Sequence, residues 1–309
     1  MDEKIFDYID SIPATISNEL LRYVQSIMDR SGVFYRAFSR KKTKQSIKHK
    51  FNVKKYDGAY KMQDLFGVRI TLYFKDDVSV CKSIVEESGS FQVVDISEDK
   101  PDPESFKPVR LNYVCKLPND IKDYISSDFW YNSQIDDTFE IQIRTVLSEG
   151  WHEIEHDLRY KCKEDWIEEK EMNRSLNGIF ATLETCDWSI ISMFDQLAYK
   201  KYKSCKWSAM FRNKLRLRTA DNDISVELLE IMDADHAFAK ELLKVSRLDL
   251  ILILSNDLIS TVPKTMDNII YVSNFFFIHN KLVDEKTPSL LQKRCIMAQE
   301  QVQRVTNKD

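Results

Sequence analysis

The chain has 309 residues, is 43% hydrophobic and 30% charged, and carries a formal net charge of −4. It can bury a real core, which excludes disorder by composition, and its length suits two domains or one domain with a large extension. With 6 Gly and 7 Pro it should be helix-rich. Its longest apolar runs are too short to span a bilayer, and its acidic start is unlike a signal peptide, so a cytoplasmic protein without membrane association is expected.

In chain order, residues 1–35 read as helix, with Ile5, Tyr8, Ile9 and Ile12, then Leu20, Leu21, Val24 and Ile27, at helical spacing. The segment from Arg36 to Lys55 then carries nine Lys/Arg and no Asp or Glu. Such a cluster in an acidic chain needs an anionic partner or a solvated face. Polyphosphate suits it, because Lys supplies point charge and Arg a fork for phosphate oxygens. Four strands are predicted next, over Val68–Phe74, Phe91–Ile96, Val109–Leu117 and Thr138–Thr145, with an amphipathic helix over Asp76–Glu87. On the last strand Phe139, Ile141 and Ile143 alternate with Glu140, Gln142 and Arg144, so the polar face meets either a site or water.

From Leu147 the pattern is helical, through Trp151, Ile154 and Leu158 and on to Phe194. Residues 199–218 are basic and are expected to be a linker. Four or five helices should follow Asn222, including Val226–Met232, His236–Val245 and Leu290–Val305. The six cysteines, at 81, 115, 162, 186, 205 and 295, form no CxxC pair, which favours reduced, mostly buried thiols over a zinc knuckle or a redox dithiol. The expected fold class is α+β, a mixed, mostly antiparallel sheet flanked by helices, with an all-helical C-terminal extension. The expected divisions are 1–198, a linker at 199–218, and 219–309.

Four blocks carry chemistry. Arg40, Lys42, Ser46 and Lys50 form R-x-K-x3-S-x3-K. Asp64, Gly67 and Arg69 form D-x-x-G-x-R-I. Glu140, Gln142, Arg144 and Thr145 form E-I-Q-I-R-T, and Trp151, Glu155, His156, Tyr160 and Lys161 form W…EH…YK. Cations followed by two separated carboxylates suit a magnesium nucleotide, since Mg²⁺ takes one or two carboxylates with phosphate oxygens and water. Together the blocks resemble the synthetase domain of the RelA/SpoT alarmone enzymes, especially the small single-domain synthetases, over residues 36–161.

The resemblance implies a nucleotidyltransferase-like synthetase domain and a pyrophosphokinase, GTP diphosphokinase-like, that moves the β,γ-diphosphate of ATP to the 3′-hydroxyl of GDP or GTP. By matching position, Asp64 and Glu140 would hold Mg²⁺, and Glu140 would accept the attacking hydroxyl's proton. Arg40, Lys42 and Lys50 would grip the ATP phosphates, with Ser46 in support, and Arg40 would act in catalysis beside Asp64 and Glu140. Lys107, Arg110, Asn112, Gln142 and His156 would face the acceptor. Arg69 and Arg144 are either further site residues or structural partners of the carboxylates. One block departs from the family, whose G-Y-x-S-L-H-Y reads here as KPVRLNYV, with Pro108, Arg110 and Asn112 in place of the Tyr, Ser and His. The guanine-stacking Tyr is therefore missing, although Phe106, Phe129, Trp130 or Tyr131 could supply a ring. The donor half looks intact and the acceptor half altered.

Two readings follow besides (p)ppGpp synthesis: the same donor chemistry on another acceptor such as the tRNA 3′ end, and a catalytically silent nucleotide- or RNA-binding module. A homo-oligomer is compatible with each. His152 to His156 also fits H-E-x-x-H, the zinc protease pattern, but Asp157 follows where such helices are apolar and no third ligand stands out. The only His-Asp pair, His156-Asp157, lies within the synthetase-like block, so no alarmone hydrolysis is expected.

Overall fold

A computed structural model describes residues 3–53, 56, 60–98 and 111–306, and every structural statement below concerns these. The chain divides into two compact units. The first contains Met1–Ile27, Tyr35–Tyr73 and Cys81–Asp187, and the second Met28–Phe34, Phe74–Val80 and Trp188–Asp309.

The first unit opens with α1 (Glu3–Ser11) and α2 (Thr15–Met28), whose Phe6, Ile9, Leu20 and Val24 are buried. It continues with β1 (Tyr35–Lys41), α3 (Lys44–Val53), β2 (Phe66–Leu72), α4 (Asp77–Glu87, its residues before Cys81 belonging to the second unit), β3 (Val93–Glu98) and β4 (Leu111–Lys116). Two short helices, α5 (Asn119–Lys122) and α6 (Ser127–Asn132), lead to β5 (Thr138–Thr145) and α7 (Val146–Ile154). A π-helical turn at Glu155–Tyr160 and the long α8 (Lys170–Lys203) follow, the latter passing into the second unit at Trp188. The five strands form one mixed sheet, ordered β1-β2-β5-β4-β3. Only the β2–β5 pair is parallel. Four of the five strands lie where the sequence pattern places strands. The fifth, β1, lies where the sequence pattern predicts the end of a helical stretch and a basic segment. Gly32 breaks that helix at φ +73°, and Phe38 is the apolar residue that a strand's outer face would not ordinarily show.

The strands alternate as a half-buried sheet requires. Val68 and Ile70 of β2, Tyr113 and Cys115 of β4, and Phe139 and Ile141 of β5 are fully buried on one face. The opposite face carries Arg36, Phe38 and Arg40 from β1, Gly67 and Arg69 from β2, Glu140 and Gln142 from β5, and Asn112 from β4. Register sets these in rows. Arg40 pairs with Gly67 and Gly67 with Glu140. In the next row Phe38 pairs with Arg69, Arg69 with Gln142 and Gln142 with Asn112.

The turn from β5 into α7 is built by a capping box. The Thr145 hydroxyl accepts from Ser148 N at 3.1 Å, and Ser148 Oγ accepts from Thr145 N at 2.9 Å. Thr145 Oγ1 also donates to Asp187 at 2.7 Å.

The second unit is helical, with α9 (Trp207–Leu215), α10 (Val226–Ala234), α11 (His236–Lys244), α12 (Arg247–Ser255), α13 (Met266–Ser273), α14 (Lys281–Lys286) and α15 (Ser289–Thr306). The expected linker at 199–218 instead contains the end of α8 and all of α9, whose Trp207, Met210, Phe211 and Leu215 are buried at i, i+3, i+4 and i+8. The basic residues between them masked that stripe. Within this unit Arg247 pairs with Asp77 and lies 3.5 Å from Asp76, while Arg216 pairs with Asp76 and lies 3.5 Å from Asp195. Asp77 is fully buried. All six cysteines are free thiols, three of them buried and Cys186 and Cys205 exposed, so fewer are buried than the sequence suggested. No described helix is long and apolar enough to cross a membrane.

Candidate active site

The basic segment separates by strand and helix geometry into structural cations and site cations. Lys41 points inward and donates to the carbonyls of Ile9 at 2.8 Å and Ile12 at 2.7 Å, closing the C-terminal end of α1. Lys44 and Lys48 bridge at the surface to Asp7 and Glu3. Lys42 and Lys50 converge instead on one carboxylate. Lys42 pairs with Asp64, and Lys50 Nζ lies 2.7 Å from it. Arg40 is exposed and, among the described residues, makes no ion pair or hydrogen bond. Ser46 lies one turn before Lys50 on α3, exposed, with its hydroxyl 2.9 Å from Thr43 Oγ1.

Burial opposes all three charges of the Lys42–Asp64–Lys50 cluster. For Asp64 the two ammonium groups outweigh it and hold the carboxyl below its ordinary range. Lys50 is likewise raised by Asp64 against burial. For Lys42 burial wins, aided by repulsion from Lys50, and its pKa is lowered. Both lysines are also raised by the charge of Glu140, a smaller influence than that of Asp64.

Glu140 is held at both oxygens. Asn112 Nδ2 donates to Oε1 at 2.9 Å and Gln142 Nε2 to Oε2 at 2.7 Å. Gln142 accepts in turn from Arg69 Nε at 2.9 Å, and Asn112 from Arg144 at 3.2 Å. Asn112 and Gln142, expected to face the acceptor, therefore use both ends of their amides to orient Glu140. Arg144 is buried and donates to the Ile143 carbonyl at 2.8 Å, which is a structural position. Arg69 pairs with Glu149 and Glu153 of α7, not with either proposed metal ligand. The sequence pattern offers Glu153 only within H-E-x-x-H and does not single out Glu149, although their i,i+4 spacing marks them as one helix face.

His156 is not joined to this network. It lies exposed in the π-helical turn, 2.9 Å from Asp157 and stacked on Tyr160. His152 packs against the rings of Trp151 and Phe180. Among the described residues no group of three or more His, Cys, Asp or Glu could hold a metal, so the zinc-like pattern gathers no ligand set. Lys107, Pro108, Arg110 and Phe106 lie outside the described residues. Trp130 and Phe129 are buried, and Tyr131 is exposed.

Asp64 and Glu140 are hard oxygen donors of the kind magnesium prefers. Gly67 lies in register between Arg40 and Glu140, and a Cβ there would meet nothing nearer than the Glu140 carbonyl oxygen at 3.9 Å. The glycine thus leaves open space over the strand beside Glu140, and it is the oxygen chemistry of the two acidic side chains that suits such an ion.

Residues 39–165 match the model described as the region found in RelA / SpoT proteins. A GTP pyrophosphokinase of Bacillus subtilis, YjbM, is 31% identical over 104 residues, which are 32% of this chain and 43% of the relative. The chain thus spans less than half the length of that curated relative. Among solved structures, small alarmone synthetase 2 of Bacillus subtilis aligns with a TM-score of 0.45 at 20% identity, covering 58% of this chain and 93% of that one. Small alarmone synthetase 1 of the same organism aligns with a TM-score of 0.44 at 23% identity, covering 62% and 94%.

Proposed function

We propose that the chain is an ATP-dependent pyrophosphotransferase that moves the β,γ-diphosphate of ATP onto the 3′-hydroxyl of GDP or GTP, forming (p)ppGpp. The observation that carries this reading is a polar site in which Lys42 and Lys50 clamp Asp64 while Asn112 and Gln142 orient Glu140. The matched RelA/SpoT region and the name of the pyrophosphokinase relative support it.

Transfer of this kind is mostly positioning and charge neutralisation. Lys42, Lys50 and the unengaged Arg40 bind the triphosphate, with Ser46 at its edge. The acceptor's 3′ oxygen bonds to the β-phosphorus while the bond from that phosphorus to the α-bridging oxygen breaks. AMP leaves with the electron pair, and the hydroxyl proton passes to Glu140, which Asn112 and Gln142 hold in place. Magnesium, when held by Asp64 and Glu140, supplies positive charge against the phosphate oxygens.

A second reading keeps the donor and changes the acceptor to RNA, such as the tRNA 3′ end. It is favoured by Asn112 and Gln142 turning inward to Glu140, Arg144 and Arg69. Incubation with γ-labelled ATP and GDP, GTP, ATP or total tRNA separates the two. Label in guanosine nucleotides supports the first and label in RNA the second. Label confined to ATP with every acceptor contradicts both and leaves a silent binding module.

A further inference from the structure

Residues 196–220 carry eight Lys/Arg and no Asp or Glu, in a chain whose net charge is −4. They hold the end of α8 and all of α9, within the second unit. Among the described residues Lys200, Lys201, Lys203 and Lys206 make no ion pair. A helix C-terminus draws lysines to its last turn. It does not account for the two large rings that the same stretch of α8 leaves open, Trp188 at 57% exposure and Tyr199 at 51%. Eleven residues make three helical turns, so both rings share one face about 16 Å apart. An open cavity of about 560 Å³ lies along them, with Ser192, Asp195, Gln196 and Lys200 also in its wall. Asp195 is the one carboxylate in that wall, and Arg216 stands 3.5 Å from it. Tyr199 is braced from behind. It stacks on Tyr202 at 6.2 Å, and Tyr202 packs on the buried Trp207, whose indole donates to Asp233 at 2.6 Å. Lys203 Nζ lies 5.5 Å from the centre of the Tyr199 ring.

We infer that this face of α8 binds single-stranded RNA, with Trp188 and Tyr199 stacking unpaired bases and Lys200, Lys201, Lys203 and Lys206 holding backbone phosphates. Cations without partners in an acidic chain call for a polyanion, and open rings beside them call for one that carries flat, unstacked bases. A duplex hides its bases, and an acidic peptide has none. Between the two rings Ser192 and Gln196, joined at 3.2 Å, offer a hydroxyl and an amide to a ribose 2′-hydroxyl, the group that deoxyribose lacks. This face belongs to the second unit, whereas Asp64 and Glu140 belong to the first. Its RNA binding therefore stands apart from the donor chemistry proposed above and from the choice of acceptor.

The test is the fluorescence anisotropy of a labelled, unstructured RNA oligonucleotide titrated with the full chain and with Y199A, Y199F, W188A and the double variant K200Q/K203Q, at several salt concentrations. Loss of either ring should weaken binding about tenfold, and Y199F should keep wild-type affinity. K200Q/K203Q should flatten the slope of log affinity against log salt by about 1.4, as the loss of two phosphate contacts requires. DNA of the same sequence, duplex RNA and polyglutamate should each bind more weakly than the RNA. The inference is overturned if wild type does not bind the RNA, if Y199A or W188A binds within about twofold of wild type, or if Y199F binds no better than Y199A. An unchanged salt slope in K200Q/K203Q overturns it too. DNA, duplex RNA or polyglutamate bound as tightly as the RNA contradicts the choice of partner, the last of these turning the face to an acidic protein. No variant touches Asp64, Glu140 or the lysines beside them, so AMP release remains a separate test of the donor reading.

Discussion

Lys41 and Lys42 are neighbours with unrelated tasks, because successive side chains of a strand point to opposite faces. Lys41 closes α1, so K41A should lower stability by about 1–2 kcal/mol in chemical denaturation while leaving AMP release unchanged. Lys42 faces Asp64 and has its pKa lowered by burial. The alkaline limb of kcat/KM should therefore fall at lower pH than an ordinary lysine gives, and K42R, which keeps its charge, should move that limb upward. Asp64 behaves in the opposite sense. Its carboxyl is held below the ordinary value, so its stabilisation of the fold is complete above the unfolded value near 3.8 and is lost as pH falls through the lower, folded one. D64N should flatten that acid dependence in pH-resolved unfolding curves. The family resemblance singles out Lys42 and Asp64 and passes over Lys41. The reason the two lysines differ is hidden in the sequence, because a basic run conceals which way each side chain points until the strand itself is known.

At the level of elements, β5 and the start of α7 were legible because strand alternation and helical spacing are local signals. Thr145 appeared in the sequence as a motif residue and is in the structure a helix cap that also donates to Asp187. T145A should cost about 1–2 kcal/mol and reduce activity only through stability, which a denaturation curve beside initial rates at low temperature would separate. β1 was not legible. Its seven residues hold three basic side chains and an outward Phe38, so neither the apolar alternation of a half-buried strand nor a turn signal announced it. Much of the proposed site depends on that strand, because Arg40 shares a row with Glu140 only through Gly67, in a register that β1 sets with β2. The support that Asn112 and Gln142 give Glu140 was equally hidden, since it requires β4 and β5 to be adjacent.

At the scale of the molecule, the least legible feature is the ion cluster of the second unit. Arg247 and Asp77 are 170 positions apart in the chain, and nothing local in either segment predicts their pairing. The stretch 74–80, which leaves β2, belongs by contacts to the helical unit, so that unit is more than an appendage to the sequence that precedes it. Removing one partner strands a fully buried carboxylate. R247A should cost about 3–5 kcal/mol in the thermal or chemical transition of this unit, and R247M combined with D77N should recover a large part of that loss. Equal stability of R247A and wild type would contradict the buried pairing.

The account as a whole stands on Asp64 and Glu140 acting with Lys42 and Lys50 on a nucleoside triphosphate. Its most direct measurement is AMP release from Mg-ATP, with GDP, GTP or tRNA supplied, by wild type and by D64N and E140Q side by side. The account predicts AMP from wild type with at least one acceptor and a loss of about 10²-fold or more in each variant. No AMP from wild type with any acceptor, or variants as fast as wild type, would contradict it.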